Sequence, residues 1–223
     1  MEDIITCIIL NYNDAPTTVS LINSIRNYKT INYIIVVDNK STDDSVPVLK
    51  KCIDEKVILI ESAKNGGYGY GNNLGITYSH NKLKANYVLI SNPDVSFTEN
   101  TVINLKEILN QDESHAAAAP LPLTSKNTQH EIPAWKLISC INEILETSIL
   151  YNRIIGMQRT YERDYFRNKK FTYVDVLQGS LLMVKSNIMM RYGLYDEDIF
   201  LYSEELILGY KLKNSGYKSL LLI

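Results

Sequence analysis

The chain has 223 residues, 45% of them apolar and 22% charged, with a formal net charge of −2. A chain of this length buries roughly two-thirds to three-quarters of its unfolded surface and needs no staples. Its composition sits near the average for soluble domains, which excludes a disordered chain, a collagen and a disulfide scaffold. The near-neutral charge argues against one large nucleic-acid-binding surface, so no nucleic-acid partner is expected. Ile4–Leu10 is Ile-rich without polar alternation, the pattern of a strand buried on both faces. Asp14 and Pro16 mark a helix start, and Leu21, Ile22 and Ile25 supply its apolar stripe. Tyr33–Val37 is a second buried strand, ending at Asp38. Thr42, Asp43 and Ser45 can cap a helix carrying Val46, Leu49 and Ile53, with Pro47 in its first turn. Val57–Ile60 is a third strand, followed by a glycine-rich loop and a helix from about Asn73 to Lys82. Tyr87–Ile90 is a fourth strand, and Thr98 then caps a helix with Val102, Leu105, Ile108 and Leu109 on one face.

The second half reads differently. After the small apolar run Ala116–Ala119, Pro120, Pro122 and Pro133 break the chain. Leu137, Ile141, Ile144, Leu145 and Ile149 form a helical stripe, and Arg153–Lys170 is polar, aromatic and locally basic. Val174–Val184 reads as one long strand interrupted at Gln178-Gly179-Ser180. A last helix runs from near Ser203 to Gly216, and a final strand from about Tyr217 to Ile223, so the chain stops inside an apolar run. Cys7, Cys52 and Cys140 have no CxxC spacing, so neither a zinc cage nor a disulfide framework is signalled and a reduced compartment fits. Spanning a bilayer takes about 20 apolar residues, and no run comes near that length. Glu2 and Asp3 stand where a signal peptide carries Lys or Arg, so the expectation is a cytoplasmic domain.

Strand–helix alternation predicts βαβ units and a parallel sheet with right-handed crossovers. Ligands of such sheets sit at the carboxyl ends of the strands. Asn11-Tyr12-Asn13, Asp38-Asn39, Asn65-Gly66-Gly67 and Asn92-Pro93-Asp94 are therefore expected along one edge. The glycines of Asn65–Gly75 can let a phosphate approach the backbone, or serve only as a connector. Asp38 can accept from a base N–H or a ribose hydroxyl, or close a turn. Asp94 can bind a hard divalent cation if a diphosphate completes the oxygen shell, or belong to an Asn-Pro turn. Glu204 and Glu205 can supply a general base, or complement the helix dipole behind a Ser cap. The Arg153–Lys170 stretch can contact an anionic acceptor or a membrane surface, or be a solvated face. His80, His115 and His130 lie far apart and give no support for a His metal site or a Ser–His dyad.

The order of these signals carries more than any one of them. Asp38-Asn39-Lys40-Ser41-Thr42-Asp43, the Asn65–Gly75 loop, Leu89–Val95, Gln178–Val184, Gly193-Leu194-Tyr195-Asp196-Glu197 and Phe200–Glu205 follow one another along nearly the whole chain. This series resembles the family 2 glycosyltransferases, and within them the rhamnosyltransferase-like bacterial enzymes. The resemblance implies a single GT-A domain over residues 1–223, an α/β fold with a mostly parallel sheet flanked by helices. It implies a nucleotide-binding half at about 1–119 and an acceptor-binding, catalytic half at about 120–223. Members usually continue past Tyr217–Ile223, so the chain is expected to be C-terminally shortened.

Residue by residue, the resemblance implies a nucleotide site of Asn11, Tyr12, Asn13, Asp38, Asn65, Gly67, Tyr68, Gly71, Asn72, Asn73 and Asn92. Asp38 matches the aspartate that contacts the base. Gln178, Gly179 and Ser180 fall on the sugar or acceptor side. Asp94 matches the last carboxylate of the metal-binding Asp-x-Asp element, whose first position here is Asn92, implying Mg²⁺ or Mn²⁺. Glu204-Glu205 matches the Glu-Asp pair whose second member is the general base. Here that base is Glu205, one methylene longer, with Ile207 and Lys211 where Asp and Arg are usual. The implied activity is inverting transfer of a sugar from a nucleotide-diphosphate donor, dTDP-rhamnose or a UDP-sugar. The implied acceptor is a hydroxyl of a glycan or lipid-linked molecule in cell-surface polysaccharide synthesis, at the inner face of the membrane. The departures around Glu205 leave a second reading, a module of this fold that holds a nucleotide sugar without catalysing. A nicotinamide-dependent dehydrogenase is the third, with its glycine loop after the wrong strand.

Overall fold

Residues 3–122, 134–137 and 161–223 are described by the computed structural model. The first apolar run forms β1 (Ile5–Asn11), buried except at Leu10. Side chains of a strand alternate between its faces, so Cys7 and Ile9 enter one core and Ile8 the other. β2 (Tyr33–Asp38) divides the same way, Ile34 and Val36 against Ile35 and Val37. Neither strand shows polar alternation because helices cover both faces.

The crossover helices follow from their caps. α1 (Ala15–Ile25) starts where Asp14 Oδ1 accepts the Thr17 N–H at 3.4 Å and its hydroxyl at 2.8 Å. Such a cap is worth about 1 kcal/mol. α2 (Ser45–Lys50) is shorter than its expected stripe: Leu49 is buried, but Ile53 lies beyond the helix and is 48% exposed. Its entry is held by Asp43, which accepts the Ser45 N–H at 3.0 Å. β3 (Val57–Glu61) follows, then α3 (Gly67–Asn81), β4 (Tyr87–Ser91), and α4 (Glu99–Asn110), capped by Thr98 as expected.

α3 begins six residues earlier than the sequence predicts. The glycine-rich segment is the start of the helix and not a loop ahead of it. Helix propensity disfavours glycine by about 1 kcal/mol per residue, and packing overrides it here. A β-carbon on Gly69 would come within 2.9 Å of Tyr195, one on Gly71 within 2.3 Å of Leu10, and one on Gly75 within 2.8 Å of Ile8. Bare backbone at these positions lets α3 lie close against β1 and the Tyr195 segment.

The second half threads into the same sheet. β5 (His115–Pro120) is followed by β6 (Ala134–Trp135), a 3₁₀ turn at Arg163–Phe166, β7 (Phe171–Val174), β8 (Val176–Leu177) and β9 (Leu181–Lys185). A short helical stretch through Ser186–Gly193 leads towards α5 (Glu204–Asn214) and β10 (Lys218–Leu222). The main sheet has the order β3-β2-β1-β4-β9-β5-β10-β7, and β6 pairs with β8 apart from it. β3, β2, β1 and β4 are mutually parallel, β9 runs antiparallel between β4 and β5, and β10 is parallel to β5. The long strand expected over Val174–Val184 is therefore three strands in three places. It breaks at Asp175, whose carboxylate accepts the Leu137 N–H at 3.0 Å and pairs with Lys213 at 2.7 Å. It breaks again at the Gln178–Ser180 turn.

α5 ends as Gly216 predicts. Gly216 has φ +82°, Tyr217 N–H reaches the Leu212 carbonyl at 3.0 Å and Gly216 N–H the Lys213 carbonyl at 3.1 Å, a Schellman closure. Leu220 and Leu221 of β10 are fully buried between β5 and β7. Of the helical stripe only Leu137 lies within the described residues, and Cys140, His130 and Arg153–Arg159 lie outside them. In the Arg153–Lys170 stretch, Tyr161 and Tyr165 stack at 5.0 Å and Phe166 meets both edge-on. These aromatics are a packing cluster, while Arg167, Lys169 and Lys170 stay exposed. No helix among the described residues is long and apolar enough to cross a membrane.

Candidate active site

Sheet register sets the site. β1 pairs with β2 so that Asn11 stands beside Asp38, and with β4 so that Ile9 stands beside Ser91. The carboxyl ends of three strands thus converge as the alternation predicts. Asp38 is buried there. Its Oδ1 accepts Asn11 Nδ2 at 2.9 Å and the Ser41 hydroxyl at 2.6 Å, and its Oδ2 accepts the Ser41 N–H at 3.0 Å. The carboxylate therefore organises the turn after β2, and Oδ2 keeps one acceptor position beyond Ser41. Asn13 takes the left-handed conformation, φ +53°, which asparagine tolerates better than most residues. From there its Oδ1 accepts the Thr42 N–H at 2.8 Å, tying the β1 end to the same turn. Tyr12, between them, is 47% exposed.

Asn39 links this turn to α3. Its Nδ2 donates to Asn65 Oδ1 and to the Gly67 carbonyl, both at 3.0 Å, while its buried Oδ1 finds no partner among the described residues. Gly67 has φ +86°, and a β-carbon there would sit 2.1 Å from the Phe200 carbonyl oxygen. The first N–H groups of α3 are partly used: Gly67 N–H goes to Asn65 Oδ1 at 3.2 Å and Tyr68 N–H to the Phe200 carbonyl at 3.0 Å. Asn72 donates to the Tyr68 carbonyl at 3.0 Å and leaves its buried Oδ1 unpaired. Asn73 donates to the Tyr195 carbonyl and accepts its N–H, each at 3.0 Å, and also donates to Glu197 Oε1 at 3.0 Å.

Glu204 and Glu205 open α5, but not behind a Ser cap. Ser203 has φ +71° and makes no capping bond, and Tyr202 before it has φ +74°. Two successive non-glycine residues in this region cost about 1–3 kcal/mol each, the kind of strain that collects at functional sites. Glu204 is buried with its Oε1 unpaired among the described residues. Burial, and after it the neighbouring Glu205 charge, raise its carboxyl above the ordinary range, although the Glu204 and Tyr202 backbone N–H groups pull the other way. Glu205 is half-buried, with Oε1 3.3 Å from the Gly179 N–H. Lys211, one face further along α5, donates to the Leu194 carbonyl at 2.6 Å and anchors the Leu194–Phe200 segment.

The expected site residues fall into two groups. Asn11, Asn13, Asp38, Asn65, Gly67, Tyr68, Asn72 and Asn73 form one connected network, which reaches Gly179 and Glu205 through Tyr68. Asn92 joins through its N–H to the Ser180 carbonyl at 2.9 Å. Gln178 and Asp94 are exposed, and Asp94 makes no side-chain hydrogen bond or ion pair among the described residues. No cluster of three or more His, Cys, Asp or Glu that could cage a metal occurs among those residues. The donor set thus fits a cation that arrives with most of its oxygen ligands, not one held by protein alone. Sequence reasoning missed Ser41, Tyr195 and the Phe200 carbonyl as parts of this network; the Gly193–Glu197 and Phe200–Glu205 runs were the available signal. It also missed that His80 Nδ1 lies 2.7 Å from Ser186 Oγ, although Ser186 is fully buried and cannot meet a substrate. A cavity of about 210 Å³ lined by Tyr161, Tyr165, Tyr173, Lys213 and Tyr217 lies by the start of β10, away from these strand ends.

The model of the glycosyl transferase family 2 matches residues 6–177, a span that takes in the strand-end network and stops before α5. The low-salt glycan biosynthesis hexosyltransferase Agl10 of Haloferax volcanii is 27% identical over 216 residues, 97% of this chain and 64% of that protein. The chain thus spans a little under two-thirds of that relative's length. Among solved structures, the mannosyltransferase PcManGT of Pyrobaculum calidifontis in complex with GDP-Man and Mn²⁺ superposes with a TM-score of 0.65 at 16% identity, covering 98% of this chain and 54% of that one. GalNAc-T7 with UDP, GalNAc and Mn²⁺ gives 0.72 at 14%, covering 98% and 41%. TarS 1–349 of S. aureus in complex with UDP-GlcNAc gives 0.60 at 15%, covering 98% and 56%. These likenesses establish a GT-A fold. Fold, strand-end network and a family match over well more than half of the sequence agree: the chain belongs to glycosyl transferase family 2.

Proposed function

We propose that this protein transfers a hexose from a nucleotide-diphosphate donor to a hydroxyl of a glycan or lipid-linked acceptor, with inversion. The observation that carries this reading is the meeting of two networks at the first turn of α3. Asn39, Asn65 and Gly67 tie that turn to the Asp38 edge, and the Tyr68 side chain ties it to Gly179 and Glu205. A donor lying along the strand ends would thus have the Glu205 carboxylate within the same site. The relatives' complexes, with GDP-Man, UDP and UDP-GlcNAc, support a nucleotide donor and leave the base and sugar to experiment.

In this reading the Asp38–Ser41 turn and Asn13 shape the seat of the base, and the remaining Oδ2 acceptor of Asp38 faces its N–H groups. Glu205 takes the proton from the acceptor hydroxyl as its oxygen bonds to the anomeric carbon, and the bond to the diphosphate breaks on the opposite face. Asp94 and Asn92 would hold a Mg²⁺ or Mn²⁺ brought by the diphosphate, whose charge would offset that of the leaving group. The assay is donor turnover with GDP-mannose, UDP-N-acetylglucosamine and dTDP-rhamnose. Glu205→Ala should lower turnover by about 10³-fold while calorimetry shows nucleotide binding retained. Equal rates in mutant and wild type would remove Glu205 from the chemistry. Donor binding without turnover in the wild type favours a binding module of the same fold.

A further inference from the structure

The Glu205 carboxylate is tied down on its inner side. Its Oε1 accepts the Gly179 N–H at 3.3 Å, and the carbonyl of the same Gly179 accepts the Tyr68 hydroxyl at 3.0 Å. One residue of the β8–β9 turn is thus gripped at both backbone polar groups, by a side chain from α5 and one from α3. A β-carbon on Gly179 would stand 3.0 Å from Glu205 Oε1 and 3.2 Å from the Tyr68 hydroxyl. Both polar atoms therefore converge on one side of the Gly179 Cα, and a glycine leaves them the room.

Tyr68 is itself fixed. Its ring meets Tyr195 edge-on at 5.7 Å and 72°, and its backbone N–H is held by the Phe200 carbonyl. Burial first, then the charges of Glu205 and Glu204, hold its phenol far above the ordinary range, so the hydroxyl keeps its proton and remains a donor. The geometry matters because Glu205 carries an extra rotatable bond compared with aspartate, and a general base misplaced by about 1 Å can lose 10²-fold in rate. A base of this length needs a tether that an aspartate would not.

We propose that Tyr68 is a positioning residue, which through Gly179 holds the Glu205 carboxylate where it meets the acceptor hydroxyl. The proposal rests on the assignment of Glu205 as the base. Tyr68→Phe keeps the ring and its contact with Tyr195 and removes only the hydroxyl. It should lower the kcat of donor turnover about tenfold while the donor KM stays in place, even though the buried Gly179 carbonyl that loses its donor lowers the melting temperature. A merely structural role would lower the melting temperature and leave kcat per folded molecule unchanged. In a Glu205→Asp background, whose shorter carboxylate withdraws from Gly179, Tyr68→Phe should add less than a twofold further loss.

The outcomes separate. If Glu205→Ala lowers turnover by about 10³-fold and Tyr68→Phe leaves kcat unchanged, the positioning role is wrong and the base assignment stands. If Glu205→Ala itself leaves turnover unchanged, both are wrong. Should no donor in the panel be turned over, amide exchange decides. Tyr68→Phe should then speed exchange of the Gly179 N–H at least tenfold while the β1–β4 amides keep their protection, and unchanged Gly179 exchange overturns the proposal.

Discussion

The two halves of the site satisfy their polar groups in opposite ways. At the ends of β1 and β2, both Asp38 oxygens accept from Asn11 and Ser41, and Asn13 pairs with Thr42, so neighbours in the fold pair most of these groups, with the buried Asn39 Oδ1 and one Asp38 Oδ2 acceptor position left over. Around α5 the reverse holds. Glu204 Oε1 and Tyr195 Oη are buried without a partner among the described residues, as is Asn72 Oδ1 on α3, and Tyr202 and Ser203 hold left-handed backbone. What fixes this second half is reach: Tyr68 to Gly179 and Asn73 to Tyr195 span 111 and 122 residues of sequence. A preformed edge faces a strained, under-satisfied one. Buried unpaired atoms are expensive, and a site retains them where a ligand or a reacting group makes use of them.

Substitutions can break or sharpen that contrast. The largest effect is expected at the seam. Gly67→Ala places a β-carbon 2.1 Å from the Phe200 carbonyl at φ +86°, so the segment must move. Urea unfolding should show a loss of about 3 kcal/mol or more, and a loss under about 1 kcal/mol would show that the Phe200 contact is not a fixed joint. Next comes the preformed edge. Asp38→Ala strands both Ser41 donors and leaves Asn11 Nδ2 only its 3.2 Å bond to Ser41 Oγ, which should cost about 2 kcal/mol and weaken nucleotide binding; unchanged affinity by calorimetry would reject its role in the donor seat. The smallest effect has the opposite sign. Burial raises the Glu204 carboxyl above its unfolded value of about 4.3, so its contribution to stability is present below that pH and is lost as pH rises through the folded value. Glu204→Gln should therefore melt slightly higher than wild type at pH 7, with the difference vanishing below about pH 4. A variant that melts lower at pH 7 would place a working charge on Glu204.

How much of this was legible beforehand divides along the same line. β1–β4, α1 and α4 could be read because buried strands and capped amphipathic helices carry their pattern locally, as Ile34–Val37 and Thr98 show. The start of α3 could not. Glycines at 67, 69, 71 and 75 argue against a helix until Leu10, Ile8 and Tyr195 are seen packed against them. β9 slips antiparallel between β4 and β5, a pairing across a long sequence separation that no local pattern encodes. Ser203 looked like a cap, yet its backbone is turned into the left-handed region, where its side chain makes no such bond. Asp38 was visible as a strand-end carboxylate, but the Ser41 and Asn11 bonds that bury it were not.

The strand-end network is proposed above as the seat of a nucleotide-sugar donor. A thermal-shift panel of GDP-mannose, UDP-N-acetylglucosamine, dTDP-rhamnose and NAD, each with and without Mn²⁺, tests it most directly. At least one nucleotide sugar should raise the melting temperature, more so with Mn²⁺, and Asp38→Ala should abolish the rise. Stabilisation by NAD alone, or by none of the nucleotide sugars, would contradict it.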